Sequence, residues 1–359
     1  MRWAAAALLA VLALTGCTRD GEAPADRVAR SGTVEVAAEP GAISWPFAAD
    51  GRVYRGADEG RPLAGPLSDA LVGALTPLLV PNPGGDVLVY QSWSGRRPVL
   101  RVHDAESGRD ALLVDGALSI AWREGRIAYV RALRPDVSVP KRYVGHVVVR
   151  PGLTGREARW TPSPGRYVVA AWAGRRLLVY RLGESWPDLL ALDRPGRVRL
   201  LARAGALVAV SPDGRRAFLA RYGASPPTVR VVEVATGREL ERLSLPGMRW
   251  VTESGSWSAG RVTAATSEGV AVFDVRDGRL QLEQVLRFPP EEFQFAGLEP
   301  RLDASGGRVT AWASLAPRPR EAVGAAVVVE CDRFTLRCAR SAPFPETPGP
   351  RVVYNPSRP

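Results

Sequence analysis

The stretch from Val210 to Pro246, VSPDGRRAFLARYGASPPTVRVVEVATGRELERLSLP, constrains the fold most, because it contains one complete four-stranded unit with its turns in readable places. Asp213-Gly214 lies between two apolar runs and is a strong hairpin signal, since both central residues of a type I′ turn take positive φ. It joins strand A (Leu207 to Val210) to strand B (Arg215 to Arg221). A looser connection, Tyr222 to Pro227, leads into strand C (Thr228 to Val234), whose four valines suit a pleated sheet. Ala235-Thr236-Gly237 then turns the chain into strand D, Arg238 to Leu245. Apolar and polar residues do not alternate cleanly along these strands, so both faces of the small sheet must be covered. Radially stacked propeller blades meet that condition, and their repeat runs to about 40 to 50 residues.

Further Gly-anchored A to B turns are read at Asp50-Gly51, Gly84-Gly85, Glu124-Gly125, Pro164-Gly165, Ala259-Gly260 and Gly306-Gly307. With Asp213-Gly214 included, successive glycines stand 34, 40, 40, 49, 46 and 47 residues apart. The C to D turn is echoed at 104–108, 150–155 and 274–278, each ending in a glycine. With their SPDG and D-x-x-T-G-like turns, these repeats resemble those of WD40-like and TolB-like β-propellers over roughly residues 43 to 345. The resemblance implies architecture and says little of function. The WD dipeptide with its upstream GH is missing from every repeat.

Length alone would suggest two domains, but a propeller is one domain whatever its blade number. The expectation is an all-β, seven-bladed β-propeller of four-stranded antiparallel sheets spanning residues 33–359. Six blades are the alternative, because Leu67 to Val80 fits a strand or a helical turn and the first blade is poorly marked.

Met1-Arg2-Trp3 supplies a short basic head, Ala4 to Ala13 an apolar run of ten, and Leu14-Thr15-Gly16-Cys17 a small-residue cleavage site. The run is too short to span a bilayer as a mature helix and has the form of an export signal over residues 1–16. Leu-Thr-Gly-Cys resembles the lipobox of bacterial lipoproteins, which implies a lipid-carrying Cys17 with diacylglycerol and palmitate chains, held on the outer face of the cell membrane. An ordinary signal peptide with an incidental cysteine is the other reading. Residues 17–32 are polar with no apolar period and read as a tether. A single lysine, Lys141, stands among 48 basic side chains, which fits the codon usage of a GC-rich genome.

Cys331 and Cys338 fall where the last repeat places its C to D hairpin, so in an oxidising compartment they should close a disulfide. Their spacing, with no histidine nearby, fits no zinc pattern, and no metal or cofactor is implied. The only histidines, His103 and His146, lie in expected C strands and read as structural. No G-x-S-x-G elbow, Asp box, tryptophan docking motif or C-x-x-C-H haem site is present. Most tryptophans fall in strands, where a large ring fills the wedge between blades. A sugar-stacking platform would put its rings on loops, and Trp93 and Trp186 are the candidates.

B to C loops read as tight around Gly174 and Gly269 and long at 92–98, 133–143, 222–227 and 314–324. They share one rim with the D to A connections, and long loops on a rigid scaffold are where recognition concentrates. Arg96, Arg97, Arg131, Arg134, Lys141, Arg142, Arg318 and Arg320 fall in or beside them, opposed only by Asp136 and Glu321. Such a face would draw anionic partners. The sequence therefore reads as a membrane-anchored binding or scaffolding module, not an enzyme, whose partner is a membrane or cell-wall protein or an anionic polymer. Nucleic acid is not expected at the cell surface. The alternative is a propeller enzyme acting on cell-wall or extracellular glycans.

Overall fold

The computed structural model describes residues 29–352 except 45, 50–51, 55–59, 65–78, 83–85, 95–96, 134–142, 185, 277, 317–324 and 346–350. The described chain is strand and turn, with no helix. It begins as a strap, β1 (Gly32–Thr33) and β2 (Glu35–Val36), and enters the first blade with β3 (Phe47–Ala49), β4 (Arg52–Tyr54) and β5 (Arg61–Pro62). Blade 2 holds β6 (Leu79–Pro81), β7 (Val87–Ser94), β8 (Arg97–Asp104) and β9 (Asp110–Asp115). Blade 3 holds β10 (Ala117–Arg123), β11 (Arg126–Ala132), β12 (Gly145–Pro151) and β13 (Ala158–Arg159). Blade 4 holds β14 (Tyr167–Ala173), β15 (Arg176–Arg181), β16 (Asp188–Arg194) and β17 (Arg197–Ala202). Blade 5 holds β18 (Gly205–Val210), β19 (Arg216–Arg221), β20 (Thr228–Glu233) and β21 (Glu239–Ser244), close to the boundaries expected from the sequence. Blade 6 holds β22 (Val251–Ser258), β23 (Arg261–Thr266), β24 (Gly269–Asp274) and β25 (Gln281–Arg287). Blade 7 holds β26 (Phe293–Leu302), β27 (Arg308–Leu315), β28 (Ala325–Asp332) and β29 (Arg337–Arg340), with β30 (Phe344–Pro345) paired to β28. The last strand, β31 (Arg351–Val352), returns to the first blade.

There are thus seven blades, and the ring closes by shared custody of the first. Its sheet order is β31-β3-β4-β5, so the C-terminal strand is strand A and the N-terminal part of the chain supplies B, C and D. Phe47 stands opposite Val352 and Ala48 opposite Arg351. The hairpin of β3 and β4 is consequently B to C in this blade, where the repeat spacing suggested A to B, and Asp50-Gly51 itself lies outside the described residues.

The strap adds a second closure. β1 pairs in parallel with β25 on the outer edge of blade 6, and β2 with β29 on that of blade 7. Between them Val34 donates its N–H to the Arg287 carbonyl at 2.8 Å and buries its side chain in the gap between these blades. The Ser44 hydroxyl then donates to Glu330 at 2.6 Å. Gly32 is already part of a strand, so the fold begins before residue 33, where the tether was expected to end.

Among the described residues, seven apolar clusters fill the seven gaps between neighbouring blades. β19 shows why its sequence does not alternate: Phe218 and Ala220 point into the gap with blade 6, while Ala217 and Leu219 point into the gap with blade 4. Phe218 meets Phe273 of blade 6 with ring centroids 5.1 Å apart. The aromatic wedge expected of tryptophan appears between blades 3 and 4, where Trp160 and Trp172 pack edge to face at 5.6 Å.

Arginines cross the outer ends of the gaps. Arg199 of β17 donates to the carbonyls of Val234 and Ala235 in the C to D turn of blade 5, and Arg61 of β5 reaches the corresponding turn of blade 2. Between blades 6 and 7 the direction reverses. Arg333, wholly buried in the C to D turn of blade 7, pairs with Glu283 of β25 at 2.6 Å and donates to Gln284 at 3.1 Å and to the Gly306 carbonyl at 3.1 Å. Glu283 also takes Arg261 at 2.7 Å. Burial alone would raise the Glu283 pKa, but the hydrogen bond from Arg261 and the charges of both arginines outweigh it and hold the carboxyl below its ordinary value. The same hairpin carries the Cys331–Cys338 disulfide, whose residues stand directly opposite each other in β28 and β29.

Removing one partner of a buried ion pair strands the other charge, so Glu283→Ala should lower stability by about 3–5 kcal/mol at neutral pH, read by chemical denaturation. The depressed pKa gives the sign of its pH dependence. The contribution is complete above the unfolded-state value of about 4.3 and is lost as pH falls through the lower folded value, so the two proteins should converge in acid.

Candidate binding rim

A to B and C to D turns share one rim of the ring, and B to C and D to A connections share the other. The turn rim is tightly laced. Gly214, at φ 69°, comes so close to blade 4 that a Cβ there would lie 2.0 Å from the Gly174 nitrogen. Arg123 of β10 donates to the Pro212 carbonyl at 2.8 Å, and the Arg126 guanidinium lies 4.4 Å over the Trp172 ring.

The contact at Gly174 corrects the sequence reading of blade 4. Gly174, at φ 58°, lies in the A to B turn between β14 and β15, not in a B to C loop. Pro164-Gly165 precedes β14 and is no A to B turn. A Cβ on Gly165 would sit 2.8 Å from the Tyr167 ring, so this glycine answers a close approach. The true B to C connection of blade 4 is therefore 182–187, one more loop on the rim. The loop expected at 92–98 shrinks instead, since β7 runs to Ser94 and β8 resumes at Arg97.

These shifts decide the aromatic candidates. Trp93 lies inside β7, opposite Pro98. Trp186 lies on the B to C loop of blade 4, 53% exposed, and stacks on Tyr222 of the neighbouring blade 5 loop with centroids 4.9 Å apart and planes 4° apart. Tyr222 is half-buried against the core between blades 5 and 6. Leu133 and Trp250 are also exposed on this rim. Of the basic candidates, Arg97 pairs with Asp115 at 3.5 Å, and Arg131 pairs with Glu157. Arg96, Arg134, Lys141, Arg142, Arg318 and Arg320 lie outside the described residues, as does Cys17.

Both histidines occupy the C strands expected of them. His103 is wholly buried in β8 with Asp110 at 3.6 Å, and His146 of β12 lies 3.4 Å from the Thr161 hydroxyl. Burial, the larger influence in each case, lowers both pKa values. Asp110 belongs to a network the sequence reading did not find, accepting from Tyr90 at 2.7 Å and from Arg101 at 2.7 Å. Blade 3 repeats it with Tyr129, Glu157 and Arg131, and the Tyr129 hydroxyl is pushed up to about 12 by burial and by its carboxylate partner. The available signal was a tyrosine recurring in successive B strands, as VLVY, RIAYV and LLVY. Among the described residues no three His, Cys, Asp or Glu side chains are grouped to hold a metal.

Fold and rim define a seven-bladed β-propeller with one loop-bearing face. No protein family matches the sequence, and no curated protein does. Similar solved structures include TolB from Acinetobacter baumannii, 11% identical, with a TM-score of 0.45 over 87% of this chain and 65% of that one. They also include the β-propeller domain of the trilobed protease from Pyrococcus furiosus, 12% identical, with a TM-score of 0.47 over 71% of this chain and 81% of that one. The Cps50 (Swd1) propeller domain from Myceliophteria thermophila is 11% identical, with a TM-score of 0.47 over 76% of this chain and 99% of that one. These neighbours are TolB-like and WD40 β-propellers, and the likeness is one of fold. The chain spans just under two thirds of the TolB structure.

Because both histidines are held neutral, the unfolded chain takes up their protons first as pH falls through about 6.5. Stability should therefore decline from pH 7 to pH 5, followed as the denaturation midpoint. His103→Gln should flatten that decline; an unchanged slope would remove His103 from the explanation.

Proposed function

We propose that this propeller is an exported, lipid-anchored binding module that holds an anionic partner on its loop rim, and that it is not an enzyme. The observation that supports this most is the division of labour between the rims. Arginines and tight turns lock the turn rim, whereas the long connections, with exposed Trp186, Leu133 and Trp250, gather on the opposite one. A rigid ring that presents variable loops on one face suits recognition.

Anchoring rests on the apolar run Ala4 to Ala13 followed by Leu-Thr-Gly-Cys17. The strap leaves the ring at the outer edge of blade 6, where Gln284 donates to the Arg30 carbonyl at 2.8 Å. The eleven residues from Thr18 to Val28 would then link lipid and ring over about 18 Å by coil scaling. Tethered by an edge, the propeller would keep its loop rim open to acidic wall polymers, anionic headgroups or an acidic protein face. The net charge of +11 favours such partners, and Arg134, Lys141, Arg142, Arg318 and Arg320 would concentrate it on the rim.

Two experiments test the reading. Cys17→Ser should release the protein from membranes or block its processing; unchanged detergent-phase partitioning and mass would refute the anchor. Reversing Arg134, Arg142, Arg318 and Arg320 to Glu should weaken low-salt binding to anionic vesicles or wall polymer. The comparison is reversal of Arg156, Arg175, Arg215 and Arg279 on the turn rim. Equal losses would show that no face is special.

A further inference from the structure

We infer that Trp186 and Tyr222 form a saccharide platform, on which the apolar face of a pyranose ring stacks against the outer face of the indole. This deepens the binding-module reading and rests on it. The two rings come from adjacent blades and lie nearly parallel, 4.9 Å apart at 4°. Tyr222 is fixed from below by the core between blades 5 and 6. With one face against Tyr222 and 53% of its surface exposed, Trp186 turns its other face to solvent as a flat, held surface. Its edge is kept clear by Gly223, which at φ 66° would place a Cβ 3.3 Å from the indole nitrogen.

The surroundings choose the ligand class. A protein hot spot sits in a packed pocket ringed by contacts that exclude water. Here the indole is instead 53% exposed, with Tyr222 stacked on one face and Gly223 at its edge. The loop's flanks do offer hydrogen-bonding groups. Arg181 and Asp188 close its base as an ion pair at 2.7 Å, and exposed Arg221 adjoins Tyr222. An apolar plane the size of one sugar ring, on a loop flanked by donors and acceptors, matches a pyranose: C–H groups on its face, hydroxyls at its rim.

The test is isothermal titration of the full-length protein in nonionic detergent with chitohexaose, cellohexaose and hexagalacturonate, which present N-acetylated, neutral and acidic pyranoses. At least one should bind. Trp186→Ala should weaken it by about tenfold or more, Trp186→Phe should retain part of the affinity, and Tyr222→Ala should weaken it by withdrawing the support. Phe334→Ala, an exposed aromatic in the C to D turn of blade 7 on the opposite rim, should leave binding unchanged. Failure of all three sugars to bind, or full affinity in Trp186→Ala, overturns the platform. The vesicle and wall-polymer assay reads the basic loops and not the indole, so the broader reading can stand or fall separately.

Discussion

Every sheet in this protein must bury two faces, and that requirement organises the rest. A blade covered on one side only would leave a row such as Phe218 and Ala220, or Ala217 and Leu219, in water. Burying a large apolar side chain is worth about 1.5–3 kcal/mol, so several blades joined in an open arc would forfeit much at their two ends. Closing the ring removes the ends. The chain closes it twice, by completing the first blade with β31 and by laying the strap along the outer edges of blades 6 and 7. The disulfide lies in the hairpin that receives β2 and carries Arg333 into blade 6, so closure, cross-link and buried ion pair meet in one place.

The same economy absorbs much of the chemistry that composition seems to promise. Arg61, Arg123 and Arg199 bond to turn carbonyls of other blades, and Arg333 reaches side chains of blade 6 and a turn carbonyl of its own blade, a role for which a planar guanidinium with several donors suits better than an ammonium. Much of the chain's arginine is thus structurally employed. The carboxylates of Asp110 and Glu157 are occupied by tyrosine and arginine, and both histidines are held neutral by burial. These groups stabilise the blades that carry them.

The loop rim is under no such constraint. Its connections tie strand ends that are already fixed by the sheets, so their length and residues can vary without disturbing the wedges. Trp186 shows the difference. Trp172 fills a gap between blades and donates to the Ala121 carbonyl at 3.3 Å, whereas Trp186 packs against a single ring of the next loop and keeps half its surface in water.

The repeat, its β character and the hairpin registers of blades 3, 5, 6 and 7 were legible in the sequence, because A to B turns need glycine at positive φ and Gly125, Gly214, Gly260 and Gly306 all adopt it. The pairing of Cys331 with Cys338 was legible for a similar reason, since a short hairpin leaves few registers. Gly165 was misread because a glycine demanded by a neighbouring aromatic ring looks, in sequence, like a glycine demanded by a turn, and placing the A to B turn there pushed the true turn glycine, Gly174, into the B to C position. That error hid the loop bearing Trp186 and its partner on the next blade. Ring closure was likewise decided by tertiary structure alone, since Phe47 and Val352 carry no local signal for each other across some three hundred residues. Local backbone needs are written in local residues, whereas contacts between distant segments depend on the shape the whole ring has already taken.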